Sequence, residues 1–224
     1  RICLVGSEMC IRDSSSAIGE GSSATATAAH SQGFGSIAGG LASHAEGYYT
    51  EATSNYSHSE GYRTDATNTA AHAEGYQSLA SGLYSHASNR NTTASATCAH
   101  AEGEGTSATA DAAHSEGFQS VASGFAAHAE GYETTASGLY SHAAGRSSAA
   151  TANSAAAIGY NLVADQENSA VVGQWNLENQ TGVLFAVGNG ADADNRSDAL
   201  QVDQMGNLTA SGSIIASGQD LLML

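Results

Sequence analysis

Every histidine in the chain falls on one arithmetic series with an interval of 14 residues. The nine members are His30, His44, His58, His72, His86, His100, His114, His128 and His142. A repeat that continues without insertions is typical of architectures in which each unit stacks on its neighbour. We number the 14 positions of the unit from the histidine. The same register reaches Ser16 upstream and Ala156 and Ala170 downstream, which makes about a dozen units across residues 16–183.

Small residues occupy four other positions of the unit. Position two is Ala or Ser over residues 17–157, position seven is Ser or Thr over 22–148, and position nine is Ala over 24–164. Position four is Gly over 19–173, with the single exception of Asn89. Because Asn is among the non-glycine residues that most often adopt a positive φ, this exception predicts a left-handed conformation at position four.

The unit alternates like a β-strand in segments such as HAE at residues 72–74. A coiled coil would need large aliphatic residues at its a and d positions and would not survive a glycine every 14 residues. Two short strands and two turns per unit therefore predict an all-β, parallel β-solenoid with coils about 4.8 Å apart. We expect glycine at position four to close the first strand, and the Ser and Thr side chains to bond to the turn backbone.

Residue size predicts which side chains lie inside the coil. Positions two and nine are seven residues apart, so they face each other in a thin interior, while the histidine and glutamate columns point outward. Alanine buries little apolar area, so such a roll gains little against chain entropy. We therefore expect the chain to need partners, with three rolls wrapped around a common axis.

Charge and cysteine spacing exclude several functions. The net charge of −16 argues against binding to nucleic acid or to an anionic membrane surface. The sequence contains no apolar stretch long enough for membrane insertion. Cys3, Cys10 and Cys98 have neither the spacing of a metal site nor that of a disulfide framework.

The ends of the repeat region carry a resemblance to a known family. NSAAAIGYNLVADQENSAVVGQ at residues 153–174 closely resembles the repeat of the YadA-like head domains of trimeric autotransporter adhesins, and SSAIGE at 15–20 matches the same motif. The resemblance covers residues 14–176. It implies a left-handed parallel β-roll, three copies of which associate about one axis.

The middle units depart from the family pattern in one respect. The apolar pair represented by Ala156 and Ile158 is replaced by His and Glu. SHAEG repeats of this kind resemble those of phage and prophage tail fibres. The segment LFAVGNGADADNRSDALQVDQMGNLTASGSIIASGQD at 184–220 resembles the β-rich stretch before the autoproteolytic intramolecular-chaperone domain of phage tailspikes. These resemblances imply a virion fibre.

The chain is thus divided into four segments. Residues 1–13 resemble translated sequencing-adapter read-through and are interpreted as a non-native leader. Residues 14–176 are the β-roll repeats, and residues 177–220 are a β-rich connector. Residues 221–224 are interpreted as a truncated end, so that the chain is a fragment of a longer protein.

The histidine column is the main candidate site. In the family's geometry it faces the neighbouring protomers, which predicts His–Glu hydrogen bonds between chains. The residues of this His/Glu interface are His44, Glu46, His58, Glu60, His72, Glu74, His100, Glu102, His114, Glu116, His128 and Glu130. One alternative is plain exposure of the column to solvent, and another is a ring of three histidines on the axis that holds a metal ion or an anion. Its candidate ligands are His44, His72, His100 and His128, but we assign no metal or cofactor from the sequence.

Aromatic residues form a second column at position five. Tyr48, Tyr62, Tyr76 and Tyr132 are candidates for receptor contact, and packing between protomers is the alternative interpretation. No catalytic constellation is evident, because every histidine occupies the same column. We therefore expect a non-enzymatic protein.

Three functional hypotheses follow. The first is a homotrimeric, host-contacting segment of a phage or prophage tail fibre, located in the virion tail, with a host-surface glycan or protein as its receptor. The second is the head of a bacterial trimeric adhesin at the cell surface. The third is part of a tailspike that processes itself or degrades polysaccharide.

The histidine column also predicts a response to pH. Imidazole titrates near pH 6.5, and protonating several neighbouring rings accumulates like charge. The units of His86 and His142 have Ser88 and Ala144 in place of the glutamate. We therefore expect acid to loosen these two units first.

Overall fold

The computed structural model describes residues 14–213, which form an all-β solenoid of about 12 coils of 14 residues, as the repeat predicts. Each coil contributes one longer strand to a 15-stranded sheet, and every coil except the last also contributes one two-residue strand to an 11-stranded sheet. We call these the larger and the smaller sheet. The predicted leader (1–13) and truncated end (221–224) lie outside the described residues, and the connector is described as far as residue 213.

The strands alternate between the two sheets along the chain. Those of the larger sheet are β1 (Ser16–Ile18), β3 (His30–Phe34), β5 (His44–Tyr48), β7 (His58–Tyr62), β9 (His72–Tyr76), β11 (His86–Arg90), β13 (His100–Glu104), β15 (His114–Phe118), β17 (His128–Tyr132), β19 (His142–Arg146), β21 (Ala156–Tyr160) and β23 (Ala170–Gln174). Those of the smaller sheet are β2 (Ser23–Ala24), β4 (Ile37–Ala38), β6 (Glu51–Ala52), β8 (Asp65–Ala66), β10 (Leu79–Ala80), β12 (Thr93–Ala94), β14 (Ser107–Ala108), β16 (Val121–Ala122), β18 (Thr135–Ala136), β20 (Ala149–Ala150) and β22 (Val163–Ala164).

All strands of the repeat pair in parallel and without a shift in register. His86 pairs with His100 and Ala87 with Ala101, so each residue lies directly over the residue 14 positions later. The sheet hydrogen bonds therefore convert a sequence period into columns of identical side chains. Every column of the repeat becomes a continuous line along the solenoid.

The interior of the coil is filled by small side chains, as predicted. Ala80 and Ala122 at position nine and Ala101 at position two are completely buried. Positions seven and fourteen are also buried, as shown by Thr64 and Ser57, which the size argument had not predicted. The reason is that turns at both ends of the flat coil bring these positions back inside, where Ser and Thr predominate and Leu162 is the largest fully buried side chain.

The buried hydroxyl groups bond to turn backbone, and this prediction is confirmed. Ser120 Oγ donates to the carbonyl oxygen of Gly131 in the next coil at 3.2 Å. Thr134 Oγ1 in turn donates to Ser120 Oγ at 3.0 Å. A line of hydroxyl groups therefore satisfies polar groups that the dry interior would otherwise leave unpaired.

Position four has the predicted left-handed backbone, but the strand does not end there. Gly33 has a φ of 122° and Asn89 a φ of 81°. A Cβ atom at Gly33 would lie 1.9 Å from the carbonyl oxygen of Gly47 in the next coil, so at Gly33 contact as well as conformation favours glycine. The strand continues through it to position five, because the coils still exchange backbone hydrogen bonds on both sides of the glycine.

Two further positions are left-handed in every coil, and the sequence did not reveal them. Tyr49 at position six has a φ of 53°, and Tyr56 at position thirteen a φ of 59°. Position six is glycine in three coils, at Gly21, Gly35 and Gly105, but the other coils have larger residues at both positions, so glycine does not mark them consistently. Both backbone N–H groups are bonded: Tyr49 N donates to Phe34 O and Tyr56 N to Leu41 O, each at 2.8 Å. This bonding holds a conformation that costs about 1–2 kcal/mol per residue.

Three strands follow the repeat. β24 (Val183–Asn189) pairs in parallel with β23, and β25 (Asp198–Asp203) and β26 (Leu208–Ala210) continue the larger sheet in antiparallel fashion. The smaller sheet ends at β22. Within the described residues, the larger sheet therefore continues beyond the repeat, whereas the smaller sheet does not.

Candidate functional site

The outer face of the larger sheet carries the predicted histidine column as a ladder of stacked rings. From His30 to His142, neighbouring ring centroids lie 4.7–5.0 Å apart. The in-register pairing imposes this spacing, because it equals the separation of neighbouring strands. As predicted, the rings point outward: the side chain of His100 is 37% exposed.

Most glutamates at position three lie beside the histidine of their own coil. The distance from His Nε2 to Glu Oε2 is 3.3 Å for His44–Glu46 and 3.8 Å for His114–Glu116. The corresponding pairs His58–Glu60, His72–Glu74 and His100–Glu102 lie between these values. The structure thus places each of these pairs within one chain, and the predicted contact between chains stays a prediction.

The last glutamate of the column breaks this pattern. Glu130 Oε1 lies 3.4 Å from Nε2 of His142, in the next coil. His142 therefore has a carboxylate partner, although its own coil offers only Ala144. The His142 coil has no carboxylate of its own at position three, but the long side chain of Glu130 reaches across the spacing between coils. The early loosening of this coil in acid stays a prediction.

Most ladder nitrogens face their neighbours without hydrogen bonds. Within residues 14–213, the following Nε2 atoms are buried and have no hydrogen-bond partner: His58, His72, His86, His100, His114, His128 and His142. The stacked rings and the glutamate stems exclude water from these atoms. Burying an unpaired nitrogen costs free energy, and burying it charged would cost more.

Burial lowers the pKa of three ladder histidines. For His72 desolvation is the main cause, followed by the neighbouring rings of His58 and His86, whereas Glu74 and Glu60 oppose the shift. The pKa of His86 and that of His114 are lowered by the same balance. The close carboxylates alone would raise these pKa values, so desolvation and the crowding of the ladder decide the sign. The three rings favour the neutral form.

The aromatic column at position five forms a second ladder. Phe34, Tyr48, Tyr62 and Tyr76 stack with ring centroids 4.9–5.3 Å apart and ring planes within 12° of parallel. Both faces of Tyr48 and Tyr62 are therefore covered by neighbouring rings. These residues present edges and hydroxyl groups outward, which is unsuited to a sugar that stacks on a ring face.

Charged residues interrupt and extend this ladder. Arg90 and Glu104 occupy position five in the two middle coils and form an ion pair at 2.9 Å. The guanidinium of Arg146 lies 5.6 Å from the ring centroid of Tyr132 and 5.3 Å from that of Tyr160. Arg146 thus takes the place of an aromatic ring and continues the stack through cation–π contacts.

The structure brings the predicted site residues together on one face. The histidine, glutamate and aromatic columns run side by side along β3 to β19, separated by the spacing of alternate residues in a strand. The predicted metal-binding histidines, His44, His72, His100 and His128, are 28 residues apart, so other ladder rings separate them within one chain. Only separate chains could bring them into rings.

No family model matches this chain, and no curated protein matches its sequence. The interpretation of the fold and of the two ladders therefore rests on the geometry of this chain.

Proposed function

We propose that this chain is a structural, host-contacting segment of a homotrimeric phage or prophage tail fibre. The observation that carries the proposal is an unbroken stack of coils filled mainly by small residues, with most large side chains on the outside. At about 4.8 Å per coil, 12 such coils make a rod roughly 55–60 Å long. A rod of constant cross-section suits a spacer that holds a contact surface away from a particle.

Exposed isoleucines support a partner chain over the outer face of the larger sheet. Ile18 is 49% and Ile158 46% exposed, and both occupy position three, where the middle coils have glutamate. An alanine-filled interior offers them no room. Association of three copies, as the resemblance implies, would cover these isoleucine side chains.

The tyrosines of the aromatic ladder are the proposed contact with the host. Tyr48, Tyr76 and Tyr132 are 41–44% exposed, and Tyr62 is partly buried. Their hydroxyl groups lie at the outer ends of the stacked rings, where they can bond to a glycan or a protein receptor. The location that goes with this proposal is the virion tail. Residues 14–213 contain no helix with the length and hydropathy to cross a membrane.

The histidine ladder supports a function in binding rather than in catalysis. All nine histidines belong to one regular column, so none is set apart beside a nucleophile. Repetition of one environment suits adhesion, where several weak contacts act together.

The head of a bacterial adhesin is the second candidate, favoured by the segment at residues 153–174. An antibody against the chain distinguishes the two. Labelling of purified particles at their tails supports the fibre, and labelling of the surface of intact, uninduced bacteria supports the adhesin.

Trimer formation is tested by sedimentation of the full chain and of two matched variants. Ile158→Glu introduces at position three the residue that the middle coils already have, and Ile37→Glu does the same at position eight, where Glu51 occurs in the next coil. We expect three chains for the wild type and for Ile37→Glu, and dissociation for Ile158→Glu. A monomeric wild type would refute the trimer.

A further inference from the structure

Three side chains from neighbouring coils converge on the outer face of the larger sheet. A carboxylate oxygen of Glu116, a ring nitrogen of His128 and a carboxylate oxygen of Glu130 all lie within 4.8 Å of one another. All three residues are partly buried. One imidazole and two carboxylates are a donor set that suits zinc and related first-row ions. We propose that these residues bind a divalent transition-metal ion.

The first argument concerns His128. Among the Glu-bearing coils of the described residues, only the His128 coil has no close contact between its histidine and its own glutamate. In the other five such coils, Nε2 lies within 3.8 Å of the glutamate of the same coil. Glu130 instead lies 3.4 Å from His142. Nε2 of His128 is buried and has no hydrogen-bond partner, as in six other rings of the ladder, so the two nearby carboxylates are what distinguish His128.

The stacking of carboxylates supplies the second argument. Glu102 pairs in register with Glu116, and Glu116 with Glu130, so three like charges lie one above another. Like charges directly opposite each other destabilise a sheet. The chain carries only six Arg and Lys residues against 22 Asp and Glu, so it has few cations of its own to neutralise them. A divalent ion between Glu116 and Glu130 would remove this repulsion.

The backbone leaves room for an ion together with its water ligands. An open groove of about 410 Å³ runs along the carboxylates, and its other lining residues are glycines. The residues of this groove are Glu102, Glu116, Glu130, Gly117, Gly131 and Gly145. Glycine is required at position four by the packing of the coils, and as a consequence no side chain fills the space beside the glutamates.

All three ligands belong to one chain. The site therefore differs from a ring of three histidines on a symmetry axis, and it does not require a trimer. Its failure would leave the fibre proposal untouched, and dissociation of the trimer would leave the site intact.

The test is titration of the full chain with zinc by isothermal calorimetry, after treatment with a chelator and dialysis. The double variant Glu116→Gln/Glu130→Gln should weaken the tightest zinc site at least about tenfold, since even outer-shell changes typically cost that much. The control is Glu60→Gln/Glu74→Gln, which makes the same changes around His72 four coils earlier. The control should retain the affinity of the tightest site.

A second readout identifies the nitrogen ligand. In the protein labelled with ¹⁵N-histidine, the first equivalent of zinc should shift the ring resonances of His128, assigned through His128→Asn. Far-UV circular dichroism confirms that each variant is folded. The proposal is overturned if the wild type binds no zinc at about 1 mM. It is also overturned if both double variants lose affinity equally, which would indicate diffuse attraction to the acidic face.

Discussion

The side chain of Asn176 replaces a missing strand beside Val163. Its Oδ1 accepts a hydrogen bond from Val163 N at 2.8 Å, and its Nδ2 donates to Val163 O at 2.9 Å. Val163 lies in β22, the last strand of the smaller sheet, where the next coil would otherwise supply both partners. An edge with unpaired backbone groups can pair with another chain. Asn176 therefore caps the smaller sheet within its own chain.

Arg196 contacts this cap from outside the coil and stabilises it. Its guanidinium donates to Asn161 O and Asn176 O, both at 3.1 Å, and pairs with Glu178. Its charge also lies 5.0 Å from the ring centroid of Trp175. The segment after the repeat thus holds the terminal coil closed through one side chain with four contacts.

The cap predicts the outcome of Asn176→Leu. Leucine already occupies the same position one coil earlier, at the fully buried Leu162, so the substitution should fit. It leaves the two backbone groups of Val163 unpaired, and we expect a loss of about 1–3 kcal/mol in the free energy of unfolding. Urea denaturation measures this loss. Asn153→Ala, which removes one exposed bond to Leu139 N, serves as the control and should cost less. Equal stability of Asn176→Leu and the wild type would contradict the cap.

Gly131 at position four should tolerate substitution less well than Gly39, which lies at another position of the coil. Gly131 has a φ of 109°, and a Cβ there would lie 2.1 Å from Gly145 O, whereas a Cβ at Gly39 would meet nothing closer than 3.6 Å. We expect Gly131→Ala to destabilise the fold by at least about 2 kcal/mol, because it combines backbone strain with a clash between coils. Gly39→Ala should be neutral. Thermal unfolding of the two variants checks this, and similar melting temperatures would refute the close packing of the coils.

The lowered pKa values of His72 and His86 predict a loss of stability in acid. The unfolded chain binds protons near pH 6.5, whereas the folded ladder resists protonation until lower pH. The contribution of these rings is therefore fully present above pH 6.5 and is lost as the pH falls towards their lowered folded values. The groups that face His72 are His58, His86, Glu74 and Glu60, and those that face His86 are His100, Glu74 and Glu102.

His72→Phe tests this account, since phenylalanine can stack but cannot be protonated. We expect a smaller fall in melting temperature between pH 8 and pH 5 than in the wild type. Tyr76→Phe changes a ring of the same coil that lies outside the histidine ladder and should leave the fall unchanged. An equal response of both variants would show that the ladder does not cause the acid sensitivity.

The stacked tyrosines predict that stability and host binding can be separated. Phe34 and Phe118 occupy the same column naturally, so Tyr48→Phe/Tyr62→Phe/Tyr76→Phe should keep the melting temperature within about 2 °C. Loss of the three hydroxyl groups should weaken binding of the fluorescently labelled protein to host cells. Tyr56→Phe, at an exposed turn away from the ladder, is the control. Unchanged host binding by the triple variant would assign the ladder to packing alone.

The 14-residue period determined most of the fold by itself. A parallel, in-register stack has one environment per position, so the columns of alanine, glycine and histidine predicted the interior, the left-handed position four and the outer ladder. The candidate faces followed because alternate residues of a strand point to opposite sides. These properties are local and repeat in every coil, and a single sequence is enough to read them.

Only the tertiary structure decided what depends on contacts between coils. The residue types of Tyr49 and Tyr56 do not indicate their left-handed conformations, which hydrogen bonds to the preceding coil stabilise. The turn of Glu130 towards His142 depends on a side-chain conformation. The cap at Asn176 depends on where the smaller sheet stops. Each of these features depends on a contact between neighbouring coils or on the place where the repeat changes. The 14-residue period describes only the residue types that recur in every coil.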